Sequence, residues 1–212
     1  QFYEFDDTLY LNTVRNPSFE DDEDADGTPD GWIALDASLI SLDTTTSEFG
    51  ETSLRLTSGT TNYVYQNVPV VENNFYTFSG YFQAKTSGDE AFAILLFLDE
   101  DGNTLDATGT SSSGDCAWNS TYGWYEIIEE ASTDEFDRFE CLVTTPEDTV
   151  QMVVEVANIP TYATGDIFVD AVQLELGEDA NIFAEGYSGT PAGVYYQVAP
   201  SYLGCTGDET DP

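Results

Sequence analysis

The stretch Phe75-Tyr-Thr-Phe-Ser-Gly-Tyr-Phe-Gln-Ala84 decides the fold. Successive side chains of a β-strand point to opposite faces of its sheet. Phe78 and Phe82 therefore share one face, while Thr77 and Ser79 share the other. This alternation predicts a strand with one buried face and one solvated face.

The same signature recurs along the chain, and Gly, Pro, Asn and Asp separate its copies. No stretch has the pattern of a capped amphipathic helix. Eight or nine strands at this spacing predict an all-β fold, an antiparallel β-sandwich. The other predicted strands are 52–57, 63–68, 91–98, 124–128, 136–144, 150–157 and 167–176.

The chain divides into three predicted parts. Residues 1–14 are expected to form a lead-in strand or linker, and residues 15–177 the sandwich. Residues 178–212 are rich in Gly, Pro and Tyr. We expect them to form a tail, an extra hairpin or a subunit contact.

Acidic residues dominate the charge. The 212 residues include 41 Asp and Glu against four Lys and Arg, for a formal charge of −37. Such self-repulsion strains a compact state at ordinary ionic strength, but in molar salt the Debye length falls to about 3 Å. The composition therefore favours a halophilic protein, with an acidic protein of mild salinity, such as a calcium buffer or a nucleic-acid mimic, as the alternative.

Several functions are disfavoured by composition. Four cations are too few for phosphate contacts, so nucleic acid is not expected as a partner. No apolar run of about eighteen residues is present, so membrane insertion is not expected. The chain has no His and no Cys-x-x-Cys, which argues against a zinc site and against imidazole-based catalysis. With so many acids, close carboxylate pairs carry little information, and we predict that the chain is not an enzyme.

The cysteine count is odd. A disulfide between Cys116 and Cys141, pinning a Gly/Ser-rich loop to a strand, is one interpretation, with Cys205 as a free thiol. Three free thiols are the alternative. The same region contains an N-glycosylation acceptor at Asn119-Ser-Thr121.

A family resemblance rests on three groups of motifs in order. The first is Asn16-Pro-Ser-Phe-Glu20 with Pro29-Asp-Gly-Trp32, and the second is Gly50-Glu-Thr-Ser-Leu-Arg-Leu56 with the strand from Phe75 to Ala84. The third is Gly165-Asp-Ile-Phe-Val-Asp-Ala-Val-Gln-Leu-Glu175. Together they resemble jelly-roll carbohydrate-binding modules of families 4, 9 and 22, over most of residues 16–176. These modules imply a jelly-roll, galactose-binding-like sandwich. The stretch from Val172 to Tyr187 also resembles the closing strand and exit of such modules in phage tail and fibre proteins, which in a halophilic context suggests a virus of haloarchaea.

An acidic loop is the sharpest local motif. Asp22, Asp24 and Asp26 alternate before the turn at Gly27, and Asp30 follows. Hard carboxylate oxygens converging on a turn are what Ca²⁺ requires, so we predict a structural calcium site here. An ordinary solvated acidic loop is the alternative.

The resemblance implies a second structural calcium site. In those modules, the ion often lies between the Glu of the opening motif and an Asp of the final strand. The matching residues are Glu20 and Asp170.

Glycan binding needs exposed aromatic rings beside hydrogen-bonding groups. The best candidate is the cluster Trp118, Tyr122, Trp124 and Tyr125, with Asn119 and Glu126 alongside. Core packing of these rings is the alternative. Three further residues are expected to line the concave face of the sandwich, namely Tyr63, Tyr65 and Gln83.

These observations favour a calcium-stabilised carbohydrate-binding or adhesion module at a virion or cell surface, extracellular, with cell-surface glycans or glycoproteins as partners. A self-assembling virion or filament subunit, acting as a homo-oligomer, is the first alternative. An accessory module of a secreted glycosidase is the second.

Overall fold

The computed structural model describes residues 12–110, 112–181 and 183. Two six-stranded antiparallel sheets contain its regular structure, and a single 3-10 turn at Ala37–Leu39 is the helical element of these residues. The predicted all-β sandwich is therefore confirmed.

The first sheet carries the candidate site on its outer face. Its central strands are long, and its edges are short. In spatial order it consists of β1 (Ile33–Ala34), β4 (Asn62–Pro69), β11 (Gln151–Asn158), β6 (Glu90–Leu98), β9 (Trp124–Glu130) and β8 (Cys116–Asn119).

The second sheet closes the other side of the core. In spatial order it consists of β2 (Ile40–Asp43), β3 (Ser53–Leu56), β12 (Ile167–Leu176), β5 (Phe75–Ala84), β10 (Asp137–Thr144) and β7 (Ser112–Gly114).

Alternation along β5 builds the core as the sequence predicts. Phe78 and Phe82 are fully buried, and both rings pack on Phe139 of β10, at centroid distances of 5.2 and 4.5 Å. Gly80 lies opposite Phe139, where a Cβ atom would stand 2.8 Å from the ring. The glycine is required because the ring occupies the space that a side chain would need.

Strand β6 is apolar on both faces. Ala93 and Leu95 point into the main core, while Phe92 and Ile94 form a separate small cluster with Ala157 on the outer face of the first sheet. An outer sheet face is usually solvated and polar. The apolar patch on this face therefore marks the first sheet as unusual.

Four short strands were missed by the sequence patterns: β1, β2, β7 and β8. Each has at most four residues, too few to show a period of two. Strand β7 falls in the Ser/Thr/Gly segment that was expected to be a loop, and it pairs with β10 at an edge of its sheet.

Cys116 and Cys141 form a disulfide in the structure, with 5.4 Å between their Cα atoms. Cys116 belongs to β8 and Cys141 to β10, so the bond links the two sheets. Cys205 lies outside the described residues.

The end of the predicted lead-in segment contacts the sandwich. Asn12 bridges Glu175 of β12, and Thr13 donates its backbone N–H to Leu174. After β12 the chain turns back, since Asn181 donates to the Glu175 carboxylate and Phe183 packs on Phe49. Residues 1–11 and most of the predicted tail lie outside the described residues. Within the described part, no helix has the length and apolarity needed to cross a membrane.

Candidate functional site

A cleft of about 620 Å³ opens on the outer face of the first sheet. Strands β4, β11, β6, β9 and β8 supply its floor, and loops at their ends supply its rim. Its lining residues are Thr61, Tyr63, Phe92, Ile94, Asn119, Tyr122, Trp124, Glu126, Glu155, Ala157, Ile159, Thr161 and Tyr162.

Two stacked aromatic pairs border this cleft. Tyr122 lies on Trp124 with ring centroids 4.7 Å apart and planes 12° from parallel. Tyr162 lies on Phe92 at 5.4 Å and 10°. Tyr122 is 62% exposed, so its stack presents a ring face to solvent. The cleft therefore has flat apolar surfaces open to a ligand.

The strand register places two carboxylates in one row across the floor. Tyr65, Glu155, Ile94 and Glu126 stand opposite one another on β4, β11, β6 and β9. Neighbouring strands lie about 4.8 Å apart, so the backbones of Glu155 and Glu126 are separated by about 10 Å. The cleft combines aromatic walls with a floor that carries two acidic groups.

Glu155 lies half-buried in the floor of the cleft. Burial raises the pKa of its carboxyl to about 7, and no hydrogen bond from the described residues contributes to the shift. Burial, and then the nearby Glu155 and Tyr65, raise the pKa of the Tyr63 phenol. The phenol is therefore neutral at any ordinary pH.

Asn119 is positioned inside the cleft by the edge strand β8. Its Nδ2 donates to Glu126 Oε2 at 2.8 Å, and its Oδ1 accepts from the Thr121 backbone N–H at 3.0 Å. The two roles predicted for Asn119 are mutually exclusive, because a glycan attached to this nitrogen would occupy the cleft itself.

Alternation splits the predicted aromatic cluster. Trp124 and Tyr122 face the cleft, whereas Tyr125 is 1% exposed in the core, where its hydroxyl pairs with the Thr110 hydroxyl at 2.7 Å. Trp118 stands opposite Tyr125 and packs against the same core, with ring centroids 5.2 Å apart. The structure thus places Trp118 and Tyr125 away from the cleft, on the inner side of the sheet.

The three residues expected on the concave face also separate. Tyr63 lines the cleft, and Tyr65 lies beside it on the same face, with ring centroids 6.2 Å apart. Gln83 belongs to β5 of the second sheet, where its Nε2 donates to the Thr133 carbonyl at 3.1 Å. The expectation for Gln83 is wrong, because the pattern of a strand does not reveal which sheet it joins.

Sequence reasoning missed Phe92, Ile94, Glu155 and Tyr162. Phe92 and Ile94 lie in the continuous apolar run of the predicted strand 91–98, in which no polar residue marks an outer face. In a two-layer sandwich, a strand that is apolar on both faces has an apolar outer face that no second sheet covers. The continuous apolar run was therefore the signal in the sequence that could have indicated the cleft. Tyr162 comes from the loop after β11, which no periodicity describes.

A second cleft of about 600 Å³ has a different character. Acidic residues dominate its lining, and no aromatic ring contributes to it. Without a ring on which a sugar can stack, this cleft is a poor glycan site. Its carboxylates belong to Glu72, Asp99, Glu100, Asp101 and Asp148.

The acidic loop brings three of its four predicted ligands together. Carboxylate oxygens of Asp22, Asp24 and Asp30 lie within 4.8 Å of one another. Asp26 is outside this group, since its Oδ1 accepts from the Thr28 backbone N–H at 2.7 Å. The donor set is all oxygen, which suits a hard cation such as Ca²⁺.

Glu20 and Asp170 hold the same connecting segment between β2 and β3. Glu20 Oε1 accepts the N–H groups of Glu51 and Thr52, both at 2.9 Å. Asp170 Oδ2 accepts those of Glu48 and Phe49, at 2.8 and 2.9 Å. Both side chains therefore anchor this segment through backbone amides.

Asp170 is fully buried beside a second acid. Burial and the charge of Glu20 raise the pKa of its carboxyl to about 7, against backbone hydrogen bonds that lower it. A β-bulge after Asp170 and a left-handed backbone at Ala171 (φ 50°) turn the strand at this point. Two adjacent carboxylates, one of them buried, form a pair that a cation would neutralise.

We expect the Glu155 carboxyl to make the stability of the protein depend on pH. Its pKa is about 7 in the folded state against an ordinary 4.5, so the folded state holds the proton more tightly. Its contribution is intact below pH 4.5 and is lost as the pH rises through 7. The unfolding free energy of the wild type should therefore fall between pH 5 and pH 8 by about 1–2 kcal/mol more than that of Glu155→Gln, because the variant has no carboxyl to titrate at this position.

Urea unfolding at both pH values and constant salt measures this change. Glu147→Gln removes an exposed carboxylate outside the cleft and is the matched control. An equal pH dependence in the wild type and Glu155→Gln would show that the Glu155 carboxyl is not desolvated.

Comparison with known proteins shows similarity in structure rather than in sequence. No protein-family model and no curated protein matches the chain. Among solved structures, the C-terminal family 22 carbohydrate-binding module of a Clostridium thermocellum protein, studied for the role of its cleft in ligand binding, has 17% identity. It is matched over 79% of this chain and 93% of that chain, with a TM-score of 0.51.

Two other solved structures are similar to the same degree. The enzymatically active domain of tailspike protein 4 of bacteriophage CBA120 has 17% identity over 78% of this chain, with a TM-score of 0.52; the chain spans 21% of the tailspike's length. A cyclase from Fischerella sp. TAU has 14% identity over 82% of this chain and 99% of that chain, with a TM-score of 0.55. At these identities the likeness establishes the fold. The chain is a jelly-roll sandwich of the architecture found in carbohydrate-binding modules.

Proposed function

We propose that this protein is a non-catalytic carbohydrate-binding module whose ligand lies in the aromatic cleft of the first sheet. The observation that carries the proposal is the pair of aromatic stacks, Tyr122 on Trp124 and Tyr162 on Phe92, on a sheet face that the described residues leave open. Flat apolar rings of this kind match the C–H faces of pyranose sugars. The family 22 module with the same architecture is a further support.

Polar groups beside the stacks supply orientation. Asn119 and Glu126 are joined by a hydrogen bond at one side of the cleft, and Thr61 and Thr161 line its rim. Sugar hydroxyls both donate and accept hydrogen bonds, so carboxylate, amide and hydroxyl groups all suit them. In this proposal the rings provide contact area and the polar groups provide specificity.

The proposed setting is extracellular, on a virion or cell surface in strong brine. The net charge of −37 supports it, because a compact domain with this charge is stabilised when salt screens its self-repulsion. Its ligands would then be glycans or glycoproteins of a cell surface. Attachment of a virion to a host cell is the role that fits both the cleft and the charge.

Calcium is proposed as a structural cofactor at two places. Asp22, Asp24 and Asp30 would hold one ion in the acidic loop, whose carboxylates already converge. Glu20 and Asp170 would hold another, where two acids lie together beneath the segment that they anchor. Each ion would supply positive charge to carboxylates that otherwise repel one another.

We expect Trp124→Ala to weaken glycan binding at least tenfold, since the substitution removes one ring of the exposed stack. Affinity electrophoresis of the full chain in gels containing xylan, galactan or mannan, at molar salt, measures the effect. The bound polysaccharide should be recovered uncleaved, as a non-catalytic module requires.

Phe75→Ala is the matched control, because Phe75 is an exposed aromatic residue of the second sheet. Equal retardation of the wild type and Trp124→Ala by every polysaccharide would place binding outside this cleft. Loss of binding in the Phe75→Ala control would indicate a general effect on the fold.

Chelation of calcium is expected to lower the melting temperature. An ion present at a hundredfold excess over its dissociation constant stabilises the folded state by about 2.7 kcal/mol, or roughly 5–10 °C for a domain of this size. Differential scanning fluorimetry after EDTA treatment, with and without added Ca²⁺, measures this shift. No shift in the wild type would rule out both sites.

Two variants separate the sites. Asp22→Asn/Asp30→Asn should remove the response of the acidic loop, and Glu20→Gln should remove that of the second site. Glu147→Gln, which carries an equal change of charge on an exposed residue, should respond to calcium as the wild type does.

A further inference from the structure

We propose that the cleft selects uncharged glycans and rejects glycans that carry carboxylate or sulfate groups, with Glu155 and Glu126 as the residues that impose the selection. This inference rests on the proposed carbohydrate-binding function and names the ligand class of the same cleft. It follows from where the charges of the protein lie.

The two carboxylates flank the centre of the cleft floor. Glu155 and Glu126 share one register row, with Ile94 between them. Their backbones are separated by about 10 Å, or two strand spacings. A sugar unit resting on Ile94 therefore lies one strand spacing, roughly 5 Å, from the strand that carries Glu155 on one side and from the strand that carries Glu126 on the other. An anionic substituent on that unit would face a negative charge on either side.

The cations of the protein are all located elsewhere. Arg55 and Lys85 both pair with Asp166, at the end of the second sheet. Arg138 belongs to β10 of that sheet and reaches the Asn181 carbonyl at 2.6 Å. Arg15 packs near Gly31, before the first strand. Of the residues that line the cleft, none is Lys or Arg, so an anionic sugar would find no counter-charge there.

The same carboxylates are suitable partners for hydroxyl groups. Among the described residues, none donates a hydrogen bond that affects the titration of Glu155, and Glu126 accepts one from Asn119 at one of its two oxygens. An ionised carboxylate only accepts hydrogen bonds, and a sugar hydroxyl can donate one. At pH 8 the Glu155 carboxyl, with its pKa of about 7, is mostly ionised, and a sulfate or a second carboxylate has no proton to donate to it. The cleft therefore attracts neutral sugars through the groups that repel acidic ones.

Matched polysaccharides test this selection. Xylan, galactan and mannan, and the sulfated derivative of each, are compared by affinity electrophoresis with the full wild-type chain at pH 8 and 2 M KCl. At this salt the Debye length is about 3 Å or less, so the overall charge of −37 acts little at a distance, whereas the half-buried carboxylates of Glu155 and Glu126 are screened much less. We expect binding of at least one neutral polymer and at least tenfold weaker binding of its sulfated form.

Charge-neutral variants assign the selection to the cleft. Glu155→Gln, Glu126→Gln and the double variant should each reduce the ratio of neutral to sulfated affinity, the double variant the most, while Glu147→Gln should leave it unchanged. Circular dichroism tests whether each variant is folded. If the double variant does not fold, the two single variants are sufficient for the test.

The outcomes separate the two claims. Equal binding of neutral and sulfated polymers would overturn the selection and leave the carbohydrate-binding function standing. A ratio that is equally large in the wild type and all cleft variants would also overturn it, by assigning discrimination to the protein's overall charge. Binding of no polymer would count against the carbohydrate-binding function itself.

Discussion

Packing of the two inner sheet faces against each other is the constraint on which the rest of the structure depends. It consumes one face of every long strand, including the rings of Phe78, Phe82 and Phe139. The disulfide from β8 to β10 then ties the two layers covalently. Within the described residues, the apolar outer face of the first sheet has no second layer. This open apolar face is where we propose that the ligand binds.

The opening and closing segments of the sandwich are fixed by two acids rather than by apolar packing alone. Glu20 and Asp170 accept four backbone N–H groups from the same connection between β2 and β3. Gly50 lies within this connection at φ 69°, and a side chain there would collide with Glu20. Glycine is therefore needed for both the backbone conformation and the close approach. This anchoring joins the first motif of the chain to its last strand.

The sequence allowed the sandwich to be predicted wherever strands were long enough to alternate, as in β5 and β12. It also led to the prediction of Trp124, Tyr122 and Tyr63, which the structure places at the cleft, because aromatic residues in or beside a strand are conspicuous. The predictions for Trp118 and Gln83 failed. The spacing of residues does not show that Trp118 lies on the inner side of an edge strand, and it does not show that the strand of Gln83 joins the second sheet. It missed Glu155 and Phe92 because the site depends on register between strands distant in sequence, which tertiary pairing alone determines.

The central claim is that a glycan binds against the Tyr122–Trp124 stack, and indole signals in a ¹H–¹⁵N correlation spectrum test it most directly. The three tryptophans occupy distinct environments: Trp32 is packed on Phe19, Trp118 faces the main core, and Trp124 lines the cleft. Titration with the tightest-binding neutral oligosaccharide should shift the Trp124 indole signal and leave those of Trp32 and Trp118 in place. An unchanged Trp124 signal at saturating ligand would contradict the account.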